Sequence, residues 1–200
     1  MSLADHQHRK FDPAHMDRLD SPERRAFHDP ESIVQALPLQ GGERVVDLGC
    51  GTGYFAVPLA RRVGREGKVW ALDIEPLMLE RVRHKAAEHE LPQLEALDSD
   101  ENRLPLPEGC ADLVFMANVL HEAVDRERFL EEAVRVLRTG GVLAVVEWRT
   151  DLPQPPEKGP PLAHRLGREE GGGLIRALGL QDAGEFPAGP QHWGALFRKG

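Results

Sequence analysis

A short apolar run, Arg44-Val45-Val46-Asp47-Leu48, leads directly into Gly49-Cys50-Gly51-Thr52-Gly53, and a helix-like segment follows from Tyr54. This order of strand, glycine loop and helix constrains the fold more than any other feature of the chain. Paired valines in a short run suit a strand buried on both faces. Closely spaced glycines let the backbone turn tightly and let a ligand approach it. In an open α/β sheet such a loop lies beyond the carboxyl end of its strand, where ligands bind.

Around this unit the chain alternates between the two periodicities. Asp29-Pro30-Glu31 reads as an N-cap followed by proline at the first helical position. Ile33, Val34 and Leu37 continue a helical stripe that Gln40-Gly41-Gly42 breaks. A helix is expected over Tyr54–Val63, with Pro58 early enough to cost little. Strands are expected at Lys68–Asp73, Leu94–Leu97, Ala111–Ala117 and Val142–Trp148. Between them fall helices at Pro76–His89, with Leu77, Met78, Val82 and Ala86 on one side, and at Asp125–Leu137, stopped by Gly140-Gly141. After a proline-rich stretch from Leu152 to Pro161, a helix at Leu174–Leu178 and strands at Leu180–Phe186 and His192–Arg198 complete the pattern. Strands alternating with helices imply a parallel sheet covered on both faces. The polar segment 1–29, with Phe11, Met16, Leu19 and Phe27 as apolar anchors, reads as an arm or lid on a domain spanning residues 30–200.

Composition excludes several classes. The formal net charge is −8 over 200 residues, and no Lys/Arg block is present, which argues against a nucleic-acid partner. No apolar run approaches the roughly 18 residues that span a bilayer. Met1 to Lys10 carries no apolar signal region, so a cytoplasmic protein without membrane insertion is expected. The two cysteines, Cys50 and Cys110, match no disulfide framework and no zinc spacing. His6, His8, His15 and His28 lack a further ligand at a fixed spacing, so they read as a solvated tail and no metal is expected.

The spacing within the loop discriminates between ligands. A dinucleotide site requires Gly-x-Gly-x-x-Gly/Ala, and counting from Gly49 places Tyr54 where a small residue must pack. Asp47, just before the loop, would repel a pyrophosphate and attract an ammonium. The lysine of a triphosphate-binding loop is absent. Asp73 ends the next strand, where an acid can accept both hydroxyls of a ribose, although capping the helix at Pro76 would also explain it.

Taken as a set, these segments resemble class I S-adenosylmethionine-dependent methyltransferases. Val45–Tyr54 resembles their first motif and Val69–Pro76 their second. Leu97–Pro107 resembles the adenine-holding loop, Asp112–Glu122 the fourth strand and its exit, and Arg135–Gly141 the helix end before strand five. The similarity covers residues 30–150 and is strongest to the small ubiquinone/menaquinone-biosynthesis-like and arsenite-methyltransferase-like branch. It implies a Rossmann-like α/β fold, with a seven-stranded mostly parallel sheet flanked by helices and a short N-terminal cap. It also implies cofactor roles: Asp47 for the methionine ammonium, Gly49, Gly51 and Gly53 to make room, and Tyr54 at the helix start. Asp73 would take the ribose, Ile74 would pack on adenine, Asp100 would accept from the adenine amino group with Asp98 as the competing candidate, and Glu101 would offer its backbone N–H. Asn118 would contribute at the exit of strand four. Arsenite chemistry needs further cysteines and is not expected.

The resemblance thus implies methyl transfer from S-adenosyl-L-methionine to a small-molecule acceptor, leaving S-adenosyl-L-homocysteine. His121 and Glu122 follow strand four. His121 is the candidate catalytic residue, as base or as substrate orienter, and capping the strand is the structural alternative. Trp148 and Arg149 leave strand five towards the same rim. A non-catalytic sensor or regulatory subunit would carry the same loop, and a dinucleotide-dependent reductase is disfavoured by Tyr54 and Asp47. The acceptor atom and the oligomeric state are left open.

Overall fold

The computed structural model describes residues 13–152 and 159–200. His6, His8, Phe11 and most of the proline-rich stretch lie outside them. Seven strands form one sheet: β1 (Arg44–Leu48), β2 (Lys68–Asp73), β3 (Leu94–Asp98), β4 (Ala111–Ala117), β5 (Leu137–Trp148), β6 (Gln181–Glu185) and β7 (His192–Arg198). Their order is β3-β2-β1-β4-β5-β7-β6. Strands β1 to β5 run parallel, and β7 runs antiparallel between β5 and β6. From β1 the chain winds outward to β3 and then crosses back to β4. The sheet therefore reverses its winding between β1 and β4, and a crevice opens beyond their carboxyl ends.

Strand β1 is buried on both faces from Val45 to Leu48, as a central parallel strand must be. Its alternate residues feed two cores. Val45 joins Leu59, Val63, Leu113 and Phe115 on one side. Val46 and Leu48 join Val114, Met116, Leu130 and Phe197 on the other. The helices are α1 (Pro22–Phe27), α2 (Pro30–Gln35), α3 (Ala56–Val63), α4 (Pro76–Glu88), α5 (Arg126–Val136) and α6 (Arg168–Ala177), with a 3-10 segment at Pro13–Asp20. The Asp29 side chain caps α2 by accepting from Ser32 N at 3.0 Å, with Pro30 in the first turn as expected. Asp125 caps α5 in the same way through Arg128 N at 3.0 Å.

Four expectations are corrected. Gly140-Gly141 does not stop α5: Leu137 is already extended (φ −75°, ψ 129°) and pairs with Ala111, so the glycines sit where β5 breaks register against β4. In α4 the inward stripe is Met78, Leu79 and Val82, while Leu77 is 49% exposed. Helix α6 begins at Arg168 and runs through Gly171-Gly172-Gly173, which propensity argues against. A Cβ at Gly171 would stand 3.2 Å from both Leu166 and Trp193, so close packing explains a glycine there. Finally, His28 is fully buried and is no part of a solvated tail.

Candidate functional site

The glycine loop leaves β1 at the crevice and folds onto the end of β2. Gly49 and Cys50 donate their N–H groups to Leu72 O at 2.8 and 2.9 Å. Gly49 takes φ 72°, and a Cβ there would collide with Val119 on the turn after β4. Gly53 takes φ 82° and lies 3.1 Å, measured from its would-be Cβ, from Val82 of α4. These positions need glycine for both conformation and space.

Asp47 is 2% exposed, directly before the loop, and its Oδ2 is buried without a partner. Burial, with the neighbouring Asp73 charge adding, pushes its carboxyl up to about 8. A buried acid of this kind is destabilised until a cation or a donor meets it. Asp73 ends β2. Its Oδ2 accepts from Gly51 N at 2.8 Å and its Oδ1 from Glu75 N at 3.0 Å. Glu75, not Asp73, caps α4, through Leu77 N. Asp73 therefore ties the loop to β2 and keeps lone pairs free for further donors. Burial raises its pKa against the pull of these backbone bonds. Beside it Ile74 presents a 45% exposed apolar side chain.

Asp98 is the register partner of Asp73 at the end of β3, and Ser99 N donates to Asp73 O at 3.1 Å. Asp100 is exposed and turns Oδ1 back onto Asn102 N at 2.8 Å. The Glu101 carboxylate accepts from Val124 N, joining this loop to the turn after β4. Asn118, at the exit of β4, adopts φ 59°, and its N–H donates to Val146 O at 2.8 Å. Its amide Nδ2 donates to His192 Nε2 at 3.3 Å, while Oδ1 is buried without a partner. The Tyr54 hydroxyl points away from the loop and donates to His28 O at 2.8 Å.

The sequence reading missed several groups that the fold brings to the same rim. Glu147, near the end of β5, is completely buried. Its Oε2 accepts from His121 Nδ1 at 2.7 Å and its Oε1 from His121 N at 3.1 Å. Burial opposes a charge on His121, but Glu147 and then Glu122 outweigh it and hold the imidazole above its usual value. His192 stacks on His28 with ring centroids 3.9 Å apart and lies 4.1 Å from Trp148. Burial first, then neighbouring positive groups, lowers His28 to about 3 and His192 to about 2. One signal for Glu147 was available: a lone acid inside the apolar run Val142–Trp148.

The N-terminal segment packs against the glycine loop and α4 on one side and against the ends of β5 and β7 on the other. Leu19 lies 3.4 Å from where a Gly51 Cβ would stand. Asp20 Oδ1 accepts from Thr52 Oγ1 at 2.9 Å and from Lys85 Nζ at 2.7 Å. Arg24 places its guanidinium 4.1 Å from the Tyr54 ring centroid. His28 and Phe27 continue over His192 and Trp148. A cavity of about 480 Å³ lies elsewhere, against Arg103, Arg128 and Arg135. There Arg135 is held by Glu132 and by the carbonyls of Leu104 and Leu106. Among the described residues no group of His, Cys, Asp and Glu side chains is arranged to hold a metal, and no helix is long and apolar enough to cross a membrane.

A doubly wound sheet, a glycine loop at its switch point and an acid ending the next strand define a nucleoside-type ligand site. The family model described as a methyltransferase domain matches residues 46–145, and the chain belongs to that family. A demethylmenaquinone methyltransferase from Geobacillus kaustophilus is 32% identical over 144 residues, covering 70% of this chain and 62% of the relative. A ubiquinone/menaquinone biosynthesis C-methyltransferase from Xylella fastidiosa is 36% identical over 119 residues, covering 59% and 47%. The chain therefore spans between about half and three-fifths of these relatives' length. The crystal structure of a SAM-dependent methyltransferase from Aquifex aeolicus superposes with a TM-score of 0.86 at 32% identity, covering 94% of this chain and 98% of that one.

Proposed function

We propose that this chain transfers a methyl group from S-adenosyl-L-methionine to a small-molecule acceptor. One observation carries the reading: the buried, unpartnered Asp47 Oδ2 beneath a glycine loop that Asp73 anchors. An anionic diphosphate placed there would face two carboxyl groups, whereas an ammonium would satisfy the orphan oxygen. The residues present therefore fit the methionine end of this cofactor. The Aquifex and quinone-pathway relatives support the same reading through their names.

When bound, the cofactor supplies an electrophilic methyl group on a sulfonium. Asp47 holds the ammonium, and Gly49, Gly51 and Gly53 make room for the chain. Tyr54 supports the helix start and, through its hydroxyl, the arm. Asp73 accepts from the ribose hydroxyls, Ile74 covers adenine, and Asp100 or Asp98 accepts from the adenine amino group beside the Glu101 backbone. Asn118 contributes to the cofactor side at the exit of β4, and His121, the catalytic candidate, stands on the acceptor side. Segment 13–29 acts as a lid that excludes water. Aligning acceptor, methyl and sulfur supplies roughly 7–11 kcal/mol of the barrier reduction. The two unpaired cysteines suit a cytoplasmic setting.

A thermal-shift comparison tests this. S-adenosylhomocysteine at 100 times its dissociation constant adds roughly 2.7 kcal/mol of stability. Stabilisation by NADH and none by S-adenosylhomocysteine would refute the proposal.

A further inference from the structure

The turn from Asn118 to His121 touches both halves of the site. Val119 abuts Gly49 of the loop, and two residues later His121 enters a buried pair with Glu147. Both oxygens of Glu147 are spent on His121 and on the next residue of β5: Oε2 takes His121 Nδ1–H and, at 3.4 Å, Trp148 N–H, while Oε1 takes the His121 backbone N–H. A carboxylate can only accept, so the proton of the neutral imidazole is drawn to Nδ1 and Nε2 keeps its lone pair. Burying a carboxylate completely is costly, and removing His121 would leave the Glu147 charge uncompensated. The fold retains this costly buried pair just beyond the carboxyl ends of β4 and β5, beside the turn whose Val119 abuts the glycine loop.

We propose that Glu147 is a positioning residue that fixes His121 in one tautomer, so that Nε2 receives the acceptor's proton during methyl transfer. The proposal rests on the function inferred above and applies to acceptors whose O–H, N–H or C–H proton must leave. The acceptor's X–H bond breaks and its proton goes to His121 Nε2. The electron pair left behind forms the bond to the methyl carbon. The pair of the methyl–sulfur bond stays on sulfur, turning sulfonium into thioether, and His121 later returns the proton to water. No oxidant or reductant enters the balance.

The charged and titratable groups around His121 come from four elements. Glu147 comes from β5, and Glu122, 3.8 Å from Nε2, comes from the turn itself. Arg126 of α5 donates from Nη2 to His121 O at 3.5 Å, with its Nη1 3.2 Å from Glu170 of α6. His192 of β7 stands near enough for the two imidazoles to influence each other. Burial and Arg126 oppose a charge on the ring, but the two carboxylates outweigh them, so His121 is a stronger base than a solvated histidine.

The test uses the full chain saturated with S-adenosylhomocysteine and follows His121 by nitrogen-detected NMR titration. The wild-type ring should carry its neutral-state proton on Nδ1 and hold its proton more tightly than a free imidazole. In Glu147→Gln the protonation constant should fall about tenfold, with S-adenosylhomocysteine affinity within about twofold of wild type. A proton on Nε2 in the wild type, or an unmoved titration in the variant, would overturn the proposal. Methyl transfer to 1,4-dihydroxynaphthalene supplies the kinetic arm. The kcat should fall about 100-fold in His121→Gln and at least about tenfold in Glu147→Gln, with partial recovery in Glu147→Asp and unchanged cofactor KM. The acid limb of the pH profile should move down in Glu147→Gln. A lowered Tm with kcat and pH profile untouched would show a purely structural clamp and overturn it. A wild-type chain that binds no S-adenosylhomocysteine, or transfers nothing to the probe, counts against the functional reading instead, and the tautomer then decides the pair alone.

Discussion

Changing Asp47 to asparagine should improve the ligand-free protein at alkaline pH and ruin its use of the cofactor. In the fold the Asp47 carboxyl sits at about 8, against an ordinary value of 3.8. A raised folded pKa means that the protonated acid is favoured. The associated stability is fully present below about pH 4 and is lost as pH rises towards about 8. Four decades correspond to at most about 6 kcal/mol at pH 8 and above, an order-of-magnitude ceiling. Ligand-free Asp47→Asn should therefore hold its Tm between pH 6.5 and 9, while the wild type declines. Binding of an ammonium reverses the preference and requires Asp47 to ionise. If the bound carboxyl stays ionised, affinity for S-adenosylhomocysteine should rise about 50-fold from pH 6 to pH 8. At pH 7 each binding event should release close to one proton, about 0.9 by the same linkage. Isothermal titration calorimetry in two buffers of different ionisation enthalpy measures both quantities. Asp47→Asn should bind more weakly and without this pH dependence. A wild-type affinity that is flat across pH 6–8, or a variant with the wild-type slope, would refute the assignment of Asp47 to the ammonium.

Deleting residues 1–28 removes Leu19 from Gly51, Asp20 from Thr52 and Lys85, and His28 from His192. It should weaken S-adenosylhomocysteine binding at least about tenfold, as well as turnover, because losing a few contacts of roughly 1 kcal/mol each suffices; calorimetry that finds unchanged affinity would confine the arm to the acceptor. His28 and His192 have folded pKa values lowered to about 3 and about 2, so their stability is present above about pH 6.5 and is lost as pH falls towards those values. From pH 6.5 to pH 5 each should cost about 2 kcal/mol, seen as an acid transition in circular dichroism that His28→Gln diminishes. Gly173→Ala meets open space on α6 and should stabilise by about 0.5–1 kcal/mol. Gly171→Ala should gain nothing in chemical denaturation, because Trp193, held by its Nε1 bond to Leu166 O at 2.9 Å, cannot recede from the new methyl.

The parallel core strands were legible because each signal is local. The runs Arg44–Leu48, Lys68–Asp73 and Ala111–Ala117 are strands with the expected bounds, since a strand buried on both faces leaves an unbroken apolar run. The cap at Asp29 was legible for a similar reason, because a capping side chain reaches only a few residues ahead. Where propensity and packing conflict, the sequence misleads. The three glycines of α6 argue against a helix that Trp193 and Leu166 nevertheless shape around them. Leu77 looks like a core residue by its chemistry, yet it lies on the outer side of α4 because Leu79 takes the inward place.

By itself the chain determined its strand–loop–helix unit and the placing of Asp47 and Asp73 around it, because alternating strand and helix signals permit few connections other than right-handed parallel crossovers. Only the tertiary structure decided which distant side chains meet on the rim of that unit. Glu147 reaches His121 because β5 lies beside β4 in one particular register, and a shift of one residue would turn the carboxylate to the other face. His28 meets His192 because an arm from the beginning of the chain folds over a strand at its end. Contacts of that separation leave no trace in a local pattern, since nothing in either segment's spacing specifies the other.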